Sequence, residues 1–235
     1  MNSGRRILSQ NEIPSYDELI SNVTETHAGG NSYILKFRFN SPNVRLLNYL
    51  YAALVEHVPT YAVEYVVVHA NKSCRNSEGL AHRIGLIPLK SKETRELFVL
   101  AEAKALEEGK KNIDVKARLD VSAGDSHRAV YAKDVDLPWV DGSELIVILA
   151  PGERIVLDLI VREGTGEEHM KWRPVVQYHP DDMQQLASPD DGGFNVTCTN
   201  IGQMKGEELL SLGVKSIFKV YSRNPESIYH NLAKP

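Results

Sequence analysis

The chain has 235 residues, 42% hydrophobic and 25% charged, and a formal net charge of −4. This is an ordinary composition for one large or two small domains with ample core, and its mild acidity argues against a large basic nucleic-acid face made by this chain alone. No stretch approaches the roughly 20 apolar residues of a membrane span, the opening MNSGRRILSQNEIPSYDEL lacks the apolar core of a secretory signal, and two cysteines argue against a disulfide framework or a cysteine-built zinc knuckle.

Residues 1–30 are polar and end in Gly29-Gly30, which predicts an N-terminal arm or an edge element. SYILKFRF then alternates, with Tyr33, Leu35, Phe37 and Phe39 on one face and Lys36 and Arg38 on the other, as in a half-buried strand. Ser41-Pro42-Asn43 predicts a helix start, with Ser41 as N-cap and Pro42 at the first helical position. Within that helix Val44, Leu47, Tyr51, Leu54 and Val58 recur at spacings of three and four, a seam suited to one facing helix. Leu46, Leu50 and Val55 widen its apolar surface, and the strand AVEYVVVH follows Pro59.

GLAHRIGLIPL, residues 79–89, places a His-Arg pair inside a short apolar run closed by Gly and Pro. The pair is expected either solvated at a bend or facing something outside the chain. KSKETRELFVLAEAKALEEGKK reads as a helix, acidic early and basic late as the helix dipole favours. NIDVKARLDVSA alternates through Ile113, Val115, Ala117, Leu119 and Val121, and ELIVILAPGERIVLDLIVREG gives two strands joined at Pro151-Gly152. A polar stretch, DDMQQLASPDDGG, separates this β-rich middle from the strand FNVTCTN, which keeps Phe194, Val196 and Cys198 on one side. The last helix, GEELLSLGVKSIFKVYSR, opens on Glu207 and Glu208 and repeats the seam at Leu210, Val214, Ile217 and Tyr221.

Two distant strand-plus-helix pieces therefore share one character and the middle has another. The expected fold is α+β, with a discontinuous domain at 31–72 plus 178–235, an inserted β-rich domain at 73–177, and an arm at 1–30. Two apolar seams in so small a domain predict a surface that a partner completes.

Candidate chemistry is sparse. Gly124-Asp125-Ser126-His127 would suit a hydrolase only if a base and an oxyanion hole reached Ser126; a polar hairpin tip is the plainer reading. His69, His82, His127, His169 and His179 lack the i, i+2 or i, i+4 pairing that organises metal ligands. GTGEEH lacks the GKS/T ending of a phosphate loop. HMKWRP, residues 169–174, sets Trp172 between Lys171 and Arg173, a nucleic-acid stacking device or a core aromatic with cations beside it. Asp181-Asp182 and Asp190-Asp191 sit in polar stretches rather than in a constellation for Mg²⁺.

The ordered set of motifs resembles a known family. NYLYAALVEHVPTYAVEYVVVHANKS…EGLAHRIGLIPL is similar to the α-like assembly subunits of multisubunit RNA polymerases: the archaeal D subunit, the third-largest subunit of eukaryotic RNA polymerase II and, more distantly, bacterial α. IDVKARLDVSAGDSHRAVYAKDV resembles the family's long hairpin, GTGEEHMKWRPVVQYHP its G-x-G-x-EHAK-F/W-x-P element, and FNVTCTNIGQMKGEELLSLGVKSIF its closing strand and helix. The resemblance covers roughly residues 31–222, AHRIGLIP and EEHMKW being the most specific parts.

It implies a non-catalytic assembly subunit acting wherever transcription occurs: nucleus, cytoplasm, or the virion of a viral lineage; with no CxxC in this chain, neither metal nor cofactor is expected. The discontinuous domain would be the dimerisation domain. Its interface with a small L-type α-like subunit would be Val44, Leu47, Tyr51, Leu54, Val58, Leu210, Val214, Ile217 and Tyr221. His82, Arg83, Gly85, Leu86 and Pro88, with His169, Lys171 and Trp172, would dock the second-largest subunit, and the largest would join the assembly. His82 and Arg83 would then meet hydrogen-bond acceptors of another subunit. Two departures mark a divergent member: Tyr51 and Ala52 stand where the family has two arginines, and no CxxC provides the zinc or iron–sulfur ligands of many members. Two other functional readings stay beside this one, a β-rich serine hydrolase using Ser126 and a free-standing adaptor of the same fold.

Overall fold

A computed structural model describes residues 15–107, 115–180 and 192–223, excepting the side chains of residues 178, 180 and 221–223. The fold is α+β, and its chain separates into two compact units. Among the described residues, one comprises 15–58, 173–180, 192–201 and 205–223, the other 59–107, 115–172 and 202–204.

The first unit begins with a short helix, α1 (Tyr16–Leu19), and the strand β1 (Ile20–Gly29). These residues belong to the segment expected as an arm or an edge element, and β1 is the edge strand of a four-stranded antiparallel sheet ordered β1-β2-β9-β8. The part of the arm at residues 1–14 lies outside the described residues. In β2 (Ser32–Phe39) and β9 (Phe194–Asn200) alternate side chains point inward, so Leu35, Phe37, Phe39, Phe194, Val196 and Cys198 are buried. Strand β8 (Val175–Pro180) closes the other edge against β9.

Helix α2 (Val44–Ala52) starts two residues later than Ser41 suggests. Asn43 is the cap: its Oδ1 accepts from the N–H groups of Arg45 at 3.0 Å and Leu46 at 3.3 Å. Ser41 Oγ instead accepts from the Asn43 N–H at 3.2 Å. Asparagine caps as well as serine does, and here it is the residue whose side chain reaches the first turn. The helix runs on into a π-helical turn, Ala53–His57, closed by Val58 N–H on the Ala53 carbonyl at 3.1 Å. The wider turn keeps Ala53, Leu54, Val55 and Val58 all buried. Helix α5 (Gly206–Arg223) packs directly on α2 and on this turn.

That packing corrects the seam reading. Leu47, Leu54, Val58, Leu210, Val214 and Ile217 are already buried in the single chain, Leu54 completely. The two stripes face their own unit, because α5 returns to lie on α2. Val44 and Tyr51 stay half-exposed, and the side chain of Tyr221 lies outside the described residues.

The second unit holds a three-stranded antiparallel sheet, β3-β7-β4, and a two-stranded ribbon, β5-β6. Strand β3 (Thr60–Asn71) pairs antiparallel with β7 (Arg154–Gly164) from Thr60–Gly164 to Asn71–Ile155, with the register shifting between Val63 and Tyr65 and again between Val68 and Ala70. The unit boundary therefore falls at Val58–Pro59 and not at residue 72, since twelve residues of β3 are committed to this sheet. Strand β4 (Val115–Ser122) pairs with the other side of β7, while β5 (Arg128–Tyr131) pairs with β6 (Leu145–Leu149). The long hairpin expected from 113–135 is thus two strands in two different sheets, and Ser126 sits in the link between them. Helices α3 (Ser77–Gly85) and α4 (Ser91–Glu107) pack on a core that includes Tyr61, Val63, Leu80, Ile84, Leu89, Leu119, Trp139 and Leu157.

Candidate functional site

The polar turn after β3 sets the position of α3. Asn71 Oδ1 accepts from Ser73 N–H at 3.1 Å and Ser73 Oγ–H at 2.7 Å, and its amide donates to the Arg75 carbonyl at 2.9 Å. Asn76 then caps the helix, accepting from the Gly79 N–H at 2.9 Å. Leu80 and Ile84, four apart, enter the core. Their spacing leaves Glu78, His82 and Leu86 exposed. The run containing His82 and Arg83 is therefore an amphipathic helix and not a bend. Its end, Ile87-Pro88-Leu89-Lys90, is clamped by Val140 N–H on the Pro88 carbonyl and Lys90 N–H on the Pro138 carbonyl.

Arg83 does not wait for an outside acceptor: its Nε–H donates to the Leu145 carbonyl of β6 at 2.6 Å. Trp172 is equally internal, 1% exposed, with its Nε1–H on the Arg162 carbonyl at 3.3 Å. The Arg162 guanidinium lies 4.6 Å from its ring centroid and the Lys171 ammonium 4.5 Å. Two cations on an indole face need counter-charges, and Glu64 pairs with Lys171 while Glu168 accepts from Arg162 at 2.9 Å. The Arg162 hydrogen bond holds the Glu168 carboxyl below its ordinary range, helped by the Thr165 N–H. Of the two readings of HMKWRP, the core aromatic is the one the structure has.

The two motifs, some 85 residues apart in the chain, meet at one atom. Gly85 packs so closely on the Val63 carbonyl that a Cβ there would lie 3.2 Å from its oxygen. The Lys171 ammonium donates to the same carbonyl at 3.3 Å. Each contact is followed or preceded by an exposed apolar side chain: Leu86, 41% exposed, after Gly85, and Met170, 66% exposed, before Lys171. His82 and His169 are exposed nearby in the chain, and Pro88 is half-exposed. Met170 was missed by the sequence reading, which singled out the charged and aromatic members of HMKW. Its exposure depends on the short 3₁₀ turn Met170–Trp172, which turns Trp172 inward and Met170 outward.

Ser126 is exposed in its link, and no histidine hydrogen-bonds to it among the described residues. No group of three or more His, Cys, Asp or Glu among the described residues is placed to hold a metal ion. The pairs Asp181-Asp182 and Asp190-Asp191 lie outside the described residues.

No protein-family model matches the chain. Among curated proteins it is 30% identical over 182 residues to the DNA-directed RNA polymerase subunit Rpo3 of Methanocaldococcus jannaschii, covering 76% of this chain and 82% of that protein. The chain belongs to the RNA polymerase subunit 3 family. It is also 29% identical over 186 residues to subunit 3 of DNA-directed RNA polymerases II, IV and V of Arabidopsis thaliana, covering 66% of this chain and 58% of that one. The Aeropyrum pernix Rpo3 is 31% identical over 160 residues, 62% and 56% of the two chains. Across these last two subunit 3 relatives the match spans little more than half their length. The family expectation drawn from AHRIGLIP and EEHMKW is met, and the structure adds that these two segments share the Val63 carbonyl.

Proposed function

We propose that this chain is a non-catalytic assembly subunit of a DNA-directed RNA polymerase, acting inside the cell where transcription occurs. Its first unit pairs with a small L-type α-like subunit, and its second docks the second-largest subunit, with the largest subunit joining that assembly. The observation that carries this reading is the meeting of two family-like motifs at Val63, each presenting an exposed apolar residue, Leu86 and Met170, beside an exposed histidine. Exposed apolar side chains on a rigid, hydrogen-bonded base suit a protein contact. Arg83, Gly85, Lys171 and Trp172 support that surface from within. The docking contact itself falls to Leu86, Met170, His82, His169 and Pro88.

For the partner of the first unit, the half-exposed side chains matter rather than the buried seam. Val44, Asn48 and Tyr51 share one face of α2, and Leu212 and Phe218 are half-exposed on α5. The family arginines at 51 and 52 are replaced by a half-exposed tyrosine and a buried alanine, so this face has an aromatic and apolar character.

The test uses the chain co-expressed with its small partner and the second-largest subunit. The double variant Leu86→Asp/Met170→Asp is expected to keep the small partner and lose the large one. Val44→Asp/Tyr51→Asp is expected to lose the small partner. Retention of the large subunit by the first variant contradicts the docking assignment.

A further inference from the structure

Strand β3 carries an inserted residue at Glu64. Val63 pairs with Val161 and Tyr65 with the neighbouring Ile160, so two steps along β3 match one along β7. Alternation alone would send Val63 and Tyr65 to the same face, yet Val63 is 1% exposed in the core and Tyr65 59% exposed. Glu64 is thus the added residue of a β-bulge, a device that re-aims a side chain.

The bulge brings the Glu64 carboxylate to the two cations on Trp172. Its Oε2 accepts from the Lys171 ammonium, and its Oε1 lies 3.8 Å from Arg162 Nη2. The Glu64 and Lys171 side chains are only 20% and 12% exposed, so water and salt screen this pair weakly. Arg162 has a second carboxylate in contact, Glu168, whereas Glu64 is the one ion-pair partner of Lys171 among the described residues. Lys171 is the middle residue of the 3₁₀ turn that points Met170 outward. Backbone contacts fix the end of that turn: Trp172 N–H donates to the His169 carbonyl at 3.2 Å, and Thr60 Oγ1–H donates to the Trp172 carbonyl at 2.7 Å. The Lys171 side chain ties the stretch beside Met170 to β3. Without the Glu64 charge a poorly solvated ammonium would stand beside a second cation, a cost relieved when Lys171 swings into water and shifts Met170 with it.

We infer that Glu64 is a positioning residue for the large-subunit contact: its bulged carboxylate holds Lys171, and through Lys171 it sets where Met170 is presented. This rests on the docking role proposed for Leu86 and Met170. Glu64 itself touches no partner; it acts on the docking surface through one ion pair.

The test has two readouts on the full-length chain. Methionine-methyl NMR follows the Met170 resonance, assigned by its loss in Met170→Leu, and titration with the second-largest subunit measures affinity for the chain in complex with its small partner. Glu64→Gln is expected to move the Met170 resonance and to weaken large-subunit binding at least tenfold, while binding of the small partner, which reports folding, stays unchanged. Glu64→Asp, which keeps the charge, is expected to lose less than threefold. Lys171→Met is expected to weaken binding as Glu64→Gln does, and the double variant Glu64→Gln/Lys171→Met to lose no more than either alone, because both act through one pair. An unmoved Met170 resonance in Glu64→Gln, or losses that multiply in the double variant, overturns the inference. So does undiminished affinity of Glu64→Gln where Leu86→Asp/Met170→Asp does lose the large subunit. Undiminished affinity of Leu86→Asp/Met170→Asp overturns the docking assignment itself, and the inference with it.

Discussion

Arg83 and Trp172 show how a side chain that looks like a contact residue can be part of the frame. Arg83 joins α3 to the β6 backbone, so Arg83→Ala removes a charge-assisted hydrogen bond and leaves a carbonyl less satisfied, at a cost of about 1–3 kcal/mol. Thermal unfolding of the isolated variant is the check: an unchanged Tm would return Arg83 to the surface role. The two cysteines give a second reading at this scale. Burial pushes the Cys198 thiol up to about 12, so it stays protonated and shielded at pH 8, while Cys74 is exposed. Native protein is expected to take up one equivalent of a thiol reagent at pH 8 and unfolded protein two; two in the native state would contradict the burial of β9. The raised value also fixes a sign. The folded state holds the Cys198 proton more tightly, so this group's contribution to stability is full below the unfolded value near 9 and is lost as pH rises toward 12.

At the scale of elements, the helices of the first unit are set by close approach. A Cβ on Gly213 of α5 would run into the Leu54 side chain, with Leu50 behind it. Gly213→Ala is therefore expected to destabilise the chain by about 1–3 kcal/mol through overpacking, despite alanine's better helix propensity, and Leu54→Ala by about 2–5 kcal/mol through a cavity. Denaturant melts of the chain alone decide this; a neutral Leu54→Ala would mean that the seam faces outward after all. The spacing of Leu47, Leu54 and Val58 made the stripe legible in the sequence. What it faced was not, because a stripe covered by the chain's own helix and one covered by a partner have the same period. The strands were legible for the same reason, through alternation in SYILKFRF and FNVTCTN. Their pairing was not: β4 and β5 adjoin in sequence yet belong to different sheets, since β7 is long enough to hold β3 on one side and β4 on the other. Likewise AHRIGLIPL reads as a bend from its Gly and Pro, yet Asn76 and the Leu80–Ile84 pair make it helical.

For the whole molecule, family membership was legible from ordered motifs, and the approach of Gly85 and Lys171 to the same Val63 carbonyl was not, because that carbonyl brings the two motifs together only in three dimensions. The role proposed for this chain is assembly of an RNA polymerase. The most direct test is affinity purification of the tagged chain from its native source, with the captured proteins identified and quantified. Recovery of the two largest polymerase subunits and one small α-like partner at equal stoichiometry is the predicted result. Recovery of the chain alone, or with an esterase activity that Ser126→Ala removes, would contradict it.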